Sequence, residues 1–229
     1  MPVADDLAGT ATLFADRTRA AFCLALMDGR AWTVGELGAT AGVARSTASE
    51  QVDTLLRGGV VAEERSGRHR YVRLAGPDVA ALVESLAGRT PSTVPQSSLR
   101  TVTKHAALAR ARTCYDHLAG SLGVSVTDGL IARGVIATHG GWSLTAKGLR
   151  WFADVGVDAD ALATSRRVTV RPCLDWTERR DHLGGAAGAA LCSRFVEAGW
   201  VRRIGTDRAI QVTGDGERAL TGMLNLQWS

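Results

Sequence analysis

The residues best equipped for chemistry stand in two short segments that echo each other. Arg112-Thr113-Cys114-Tyr115-Asp116 is matched by Arg171-Pro172-Cys173-Leu174-Asp175, and Asp116-His117-Leu118-Ala119-Gly120 is matched, 65 positions on, by Asp181-His182-Leu183-Gly184-Gly185. Two Cys-x-Asp and two Asp-His motifs at corresponding places put Cys114, His117, Cys173 and His182 forward as soft ligands. Such a Cys₂His₂ set suits Zn²⁺, with Asp116, Asp175 or Asp181 as hydrogen-bond partners to the imidazoles. Cys114 and His117 are three apart, the spacing that places two side chains on one helical face. Blander roles fit too: a repeated Asp-His can be a helix cap with a satisfied His, and a repeated Cys can be core. Beside the second motif, Leu174-Asp175-Trp176-Thr177-Glu178-Arg179-Arg180 is the densest cluster of large and charged side chains. Trp176 can wall an apolar pocket while Arg179 or Arg180 grips a carboxylate in a bidentate fork. The same run also reads as a helix start with i, i+4 ion pairs. Cys114, Asp116, His117, Cys173, Asp175, Trp176, Glu178, Arg179 and His182 are therefore the candidate effector-binding residues.

A second chemistry, recognition of duplex DNA, is written into residues 33–74. Arg45, Ser46, Thr47, Ser49 and Gln51 lie along one edge of a predicted helix, and such side chains read base edges and phosphates when a helix N-terminus enters a major groove. Arg65, Arg68, His69 and Arg70 cluster around Ser66-Gly67, a basic group suited to phosphates.

The elements that must position these groups can be read from pattern. Thr33-Val34-Gly35-Glu36 is a capping box at a helix start, and Gly42-Val43 makes a tight turn. From about Ala44 to Leu56, Ala48, Val52 and Leu55 form a core stripe at i, i+4, i+7. Two β-rich runs, 60–65 and 70–74, flank a Gly-containing turn and predict a hairpin, or wing. Ahead of them, 8–28 reads as one helix or two, with Cys23 inside an apolar run. After them, 77–86 reads as a helix with Val79, Leu82, Val83 and Leu86 on one side. The Ser-, Thr- and Pro-rich stretch 88–98 marks a boundary. The domains expected are 1–90, a linker 91–98, and 99–229.

Asp16-Arg17-Thr18-Arg19, Gly35-Glu36-Leu37, Ser46-Thr47-Ala48-Ser49 and Arg65-Ser66-Gly67-Arg68, with Tyr71 and Leu74, resemble the signature series of ArsR-type bacterial repressors. The resemblance covers roughly residues 7 to 88. It implies a dimeric winged-helix transcription factor, paired through the helix after the wing, that leaves its operator when an effector binds. There are departures. Gln51 stands where the family often has His, and Glu50 sets a negative charge beside the groove. The cysteines by which some members sense metal are replaced here by Glu36-Leu37-Gly38-Ala39, and 78–86 lacks the His of their dimer-helix metal site.

Residues 99–229 lie beyond that resemblance, although Cys173 to Arg180 is similar to C-terminal domains fused to such heads. Beyond the echoes already quoted, Gly123 matches Gly188, Leu130 matches Phe195, Gly134 matches Gly199, and Leu144-Thr145-Ala146-Lys147-Gly148 lines up with Val212-Thr213-Gly214-Asp215-Gly216. Two helix–hairpin–helix repeats packed about a pseudo-twofold axis are expected, and their seam is a natural ligand pocket. A small organic effector is favoured there over a metal such as Zn²⁺. A thiol-based redox sensor using Cys114 and Cys173, and a ligand-free scaffold, are the alternatives.

Composition sets the outer limits. The 229 residues are 45% hydrophobic and 22% charged, room for two cores in a soluble, mainly α protein with small β-hairpins (α+β). No apolar run approaches the ~20 residues of a membrane span, and no signal pattern opens the chain, so the cytoplasm is expected. Four cysteines scattered at 23, 114, 173 and 192 do not form a disulfide framework. The net charge of +4 is not carried by residues 1–98, which hold 10 Lys+Arg against 11 Asp+Glu. DNA binding therefore rests on where the arginines sit. There is no Walker loop, no His-Glu-x-x-His and no Gly-x-Ser-x-Gly, and an enzyme is not expected. The partners expected are an operator duplex, a second copy of the chain and an effector, with no membrane.

Overall fold

The structure is a computed structural model and describes the backbone of residues 2–66, 69–89, 99–205 and 208–228. The chain divides into two compact units, Met1–Val83 and Glu84–Ser229. The expected linker, 91–98, lies outside the described residues.

The first unit begins with α1 (Pro2–Ala15) and α2 (Arg17–Leu26), so 8–28 holds two helices rather than one. The break between them has a local cause. Asp16 caps α2, its carboxylate accepting from Thr18 N and Arg19 N at 2.9 and 3.0 Å. Arg19 then turns back on the end of α1 and donates to Leu13 O and Thr12 O at 2.8 and 2.7 Å, satisfying terminal carbonyls. Next come β1 (Trp32–Thr33), α3 (Val34–Ala41) and α4 (Arg45–Arg57). Thr33 and Glu36 form the predicted capping box, and Gly42, in the left-handed region at φ 68°, ends α3. Gly38 lets α3 and α4 approach closely, since a Cβ there would stand 3.1 Å from Ala48 Cβ. Ala48, Val52 and Leu55 are wholly buried, as their spacing requires. The wing follows as β2 (Val61–Ser66) and β3 (His69–Leu74), antiparallel, in a three-stranded sheet of order β1-β3-β2. α5 (Pro77–Arg89) comes after the wing, and the division between the units falls inside it. Of its predicted stripe Val83 is buried, while Leu82 and Leu86 are 40% and 42% exposed.

The second unit opens with α6 (Leu99–Arg110) and then runs twice through one order of elements. First come the hairpin β4 (Arg112–Cys114) and β5 (His117–Ala119), α7 (Gly120–Ala132), the hairpin β6 (Ile136–Ala137) and β7 (Ser143–Leu144), and α8 (Ala146–Asp154). After the short α9 (Ala159–Ala163) come the hairpin β8 (Arg171–Leu174) and β9 (Asp181–Gly184), α10 (Gly185–Glu197), the hairpin β10 (Val201–Arg203) and β11 (Ile210–Val212), and α11 (Gly214–Leu224). Each run is thus hairpin–helix–hairpin–helix. The expected helix–hairpin–helix order is thus extended by a further hairpin, which precedes the first helix and carries the Cys and His. One apolar core gathers Leu122, Leu130 and Phe152 from the first run with Leu191, Phe195 and Leu220 from the second. Corresponding glycines set the packing. A Cβ on Gly123 would meet Leu118 O at 2.4 Å, and one on Gly188 would meet Leu183 O at 2.3 Å. Each helix therefore sits directly against the strand that feeds it.

Candidate functional site

The two hairpins of the second unit bring the sequence-predicted ligands together. Cys114 is paired across the first hairpin with His117, and Cys173 across the second with His182. Cross-strand partners project to the same face of a hairpin. Cys114 and His117 are thus strand neighbours around a two-residue turn and not helix neighbours, which corrects the helical reading of their spacing. Tyr115 in that turn takes φ 58°, the positive value that so tight a connection demands. The two hairpins pack against each other, and the ligand atoms of Cys114, His117, Cys173 and His182 all lie within 4.8 Å of one another. Cys114 Sγ is 4.0 Å from Cys173 Sγ, and His117 Nε2 is 3.1 Å from His182 Nε2. All four side chains are buried.

Behind each histidine stands the aspartate of its own Cys-x-Asp motif. His117 Nδ1 lies 3.0 Å from Asp116 Oδ1, and His182 Nδ1 lies 3.2 Å from Asp175 Oδ2. Asp181, the other candidate, is exposed. Asp116 is held in turn by Arg167 at 2.8 Å. Asp175 accepts from Gly120 N at 2.7 Å, from Thr177 N at 2.9 Å and from Glu178 N at 3.1 Å, which folds residues 175–180 back over the site. This loop replaces the expected helix start.

The residue that sequence reasoning missed is Arg112. It is wholly buried, donating to Asp175 Oδ2 at 2.9 Å, Glu84 Oε1 at 3.0 Å and Thr177 Oγ1 at 3.1 Å. Trp176 lies against it, with the guanidinium 4.8 Å from the ring centroid, so Trp176 covers an arginine and does not wall a pocket at the four ligands. Arg179 is exposed, and Arg180 pairs with Asp128 at 2.8 Å. Neither Glu178 nor Arg179 joins the cluster of ligand atoms. The signal for Arg112 was its place in the repeated Arg-x-Cys-x-Asp.

The electrostatics follow from these contacts. Burial pushes up the Cys114 thiol, whereas Cys173, receiving hydrogen bonds from Cys114 and both imidazoles, is drawn down. Burial disfavours an imidazolium at His182, but the Asp175 carboxylate and Cys173 outweigh it and raise the ring to about 9. Burial likewise works against ionised Asp175 and Asp116. His182 and Arg112 hold the first far below the usual carboxylate range, and His117 and Arg167 hold the second below it.

Two cavities of the second unit lie elsewhere. One of about 370 Å³ is lined by Arg110, Ile204, Ile210, Glu217 and Trp228 among others. One of about 280 Å³ is lined by Thr113, Tyr115, Asp116 and Arg203 among others. None of the four ligand side chains lines either cavity.

In the first unit, Arg45 and Ser46 are exposed at the start of α4, with Thr47, Ser49 and Gln51 half-buried along the same helix. Ala44 gives α4 no side-chain cap. Its first-turn N–H groups are thereby left for an outside acceptor. Gln51 Oε1 already accepts from Arg19 Nη1 at 2.7 Å. In the wing, Arg65 is 78% exposed. Arg70 pairs with both Glu63 and Asp53. Arg68 lies outside the described residues. His69 is described only as the strand partner of Ser66.

Comparison with known proteins gives concordant results. A family model described as a helix-turn-helix domain matches residues 14–64. A Bacillus subtilis (strain 168) protein named uncharacterized HTH-type transcriptional regulator YdfF is 36% identical over 223 residues, 97% of this chain and 98% of its own length. Among solved structures, the homodimeric winged helix-turn-helix DNA-binding domain of Mb0332 from Mycobacterium bovis, a possible ArsR-family regulator, is 29% identical. It covers 37% of this chain and 78% of that one, with a TM-score of 0.34. The transcriptional repressor BigR from Xylella fastidiosa is 26% identical over 39% of this chain and 91% of that one, with a TM-score of 0.36.

Proposed function

The chain belongs to the helix-turn-helix transcriptional regulators, and from that premise we propose that it is a cytoplasmic, homodimeric, ArsR-like repressor whose operator binding is controlled through residues 99–229. One observation carries the reading: α4 begins with an uncapped turn that presents Arg45 and Ser46 to solvent, in a unit completed by a basic wing. Free N–H groups and the positive end of the helix dipole favour a phosphate there, and the side chains that follow face the base edges. In this reading Arg45, Ser46, Thr47 and Ser49 enter the groove. Arg65, with Arg68 and His69, meets the backbone. Gln51 and Arg70 act differently, Gln51 tying α4 to α2 through Arg19, and Arg70 bracing the wing against α4 through Asp53. Dimerisation is assigned to α1 and α5, which expose Val3, Leu7, Leu82 and Leu86.

Gel-shift titrations at several salt concentrations test the assignment. Arg65→Ala should weaken binding to operator and random duplex alike and flatten the log-log salt slope by about 1. Thr47→Ala should instead change the preference for operator over random duplex. Equal effects of both substitutions on both duplexes would remove α4 from the groove.

A further inference from the structure

We infer that Cys114, His117, Cys173 and His182 bind one Zn²⁺-class metal ion in a closed, tetrahedral site that ties the two hairpins of the second unit together. The geometry is the first ground. Four ligands on one ion, with Zn–N of about 2.0–2.1 Å and Zn–S of about 2.3 Å, require N···N near ~3.3 Å and S···S near ~3.8 Å at tetrahedral angles. The separations found are 3.1 Å and 4.0 Å. Each hairpin supplies one sulfur and one nitrogen, and all four ligand atoms lie within 4.8 Å of one another, so side-chain adjustment must draw the longest pair in to the ~3.6 Å of a tetrahedral S···N edge.

The second ground is the orientation of the rings. A carboxylate only accepts, so His117 Nδ1, 3.0 Å from Asp116, carries a proton, and Asp175 at 3.2 Å favours the same arrangement at His182. The two Nε2 atoms then face each other at 3.1 Å, a separation that calls for a proton or a metal ion between them. A carboxylate on Nδ1 is also how metal-binding imidazoles are oriented and made more basic. Four protein ligands, all buried, leave no open position, which marks a non-catalytic site.

Other occupants fit less well. An organic effector, favoured from sequence, has no space among ligand atoms that all lie within 4.8 Å of one another. A Cys114–Cys173 disulfide would need the sulfurs to close from 4.0 Å to about 2.05 Å and gives the paired histidines no part. The ion also names the effector to which the proposed control is assigned. The inference rests on that reading only for its consequence at the operator, not for metal binding itself.

The test uses the full-length chain, stripped of metal under reducing conditions and titrated with Co²⁺ and then Zn²⁺, with no DNA present. One equivalent of Co²⁺ should give the intense ligand-field bands of a tetrahedral ion and a thiolate-to-metal charge-transfer band, both erased by one equivalent of Zn²⁺. Cys114→Ser should diminish the charge-transfer band, and Cys192→Ala should leave it whole. Because ligand substitutions can unfold the unit, Asp116→Asn supplies a second readout. It should weaken Zn²⁺ affinity by roughly 10–100-fold while keeping the band, as loss of an outer partner does. A folded, reduced chain that binds no stoichiometric metal, or one whose octahedral Co²⁺ spectrum lacks the charge-transfer band, overturns the proposal. So does a Cys114–Cys173 disulfide that forms readily while metal is refused. Failure of operator binding alone would leave every one of these spectra unchanged, so the two readings fail separately.

Discussion

Arg112 has no exposed surface, and its guanidinium meets Asp175, Glu84, Thr177 and the face of Trp176. A buried charge in such a setting holds others in place, and deleting it strands them. Arg112→Met would keep much of the volume but leave the carboxylates of Asp175 and Glu84 buried without their main cation. The expected loss is about 3–5 kcal/mol of stability in the second unit. Arg112→Lys keeps the charge and loses the planar fork, so it should fall between the two. Urea unfolding followed by tryptophan fluorescence suits the measurement, because among the six tryptophans only Trp32 lies in the first unit. A loss below about 1 kcal/mol for Arg112→Met would mean that the network does not hold the site.

The elements obey a stricter rule than the side chains, because helices α7 and α10 lie almost on the strands that lead into them. Gly123→Ala or Gly188→Ala would drive a Cβ to 2.4 or 2.3 Å from a backbone carbonyl oxygen, an atom that cannot rotate away. Each should destabilise the second unit by about 1–3 kcal/mol. Gly222→Ala in α11, where nothing lies within 4 Å, should instead stabilise by about 0.5–1 kcal/mol. Differential scanning calorimetry would separate the signs, and a neutral Gly188→Ala would argue against so close a packing. The same elements mark what was readable in advance. The Thr33–Glu36 box, the Gly42 turn and the buried stripe of α4 were legible because each is encoded within one turn of chain. Cys114 and His117 were grouped correctly but on the wrong element. A spacing of three describes one face of a helix and equally the two partners that flank a two-residue hairpin turn. Which aspartate holds His182 was open, since Asp175 rather than Asp181 reaches it only through a loop that folds back. The repeat marked the position of Arg112 but not its burial: an arginine is presumed to be at the surface until its partners, 28 and 63 residues away, are known.

At the scale of the molecule the question is how an ion in one unit could govern DNA binding by the other. A run of direct contacts leads from the cluster to α5: His182 to Asp175 at 3.2 Å, Asp175 to Arg112 at 2.9 Å, and Arg112 to Glu84 at 3.0 Å. Glu84 sits on α5, the helix that contains the boundary between the units and bears the exposed Leu82 and Leu86 assigned to the dimer. An ion held at His182 would take the place of a ring proton, and any change in the hold of the ring on Asp175 would pass through Arg112 to Glu84. If the dimer has two arrangements that differ at α5, the ion favours one by its difference in binding free energy. Typical couplings would make operator affinity differ by about 5–150-fold between Zn²⁺-loaded and stripped protein. Linkage then requires the reverse effect, with Zn²⁺ affinity measured on saturating operator shifted by the same factor. Glu84→Gln, which removes the last charge of the relay, should shrink both factors together while the Co²⁺ spectrum stays tetrahedral. Equal operator affinities with and without the ion, in protein that demonstrably binds it, would reduce the site to a structural staple and move control of the operator to another part of the second unit.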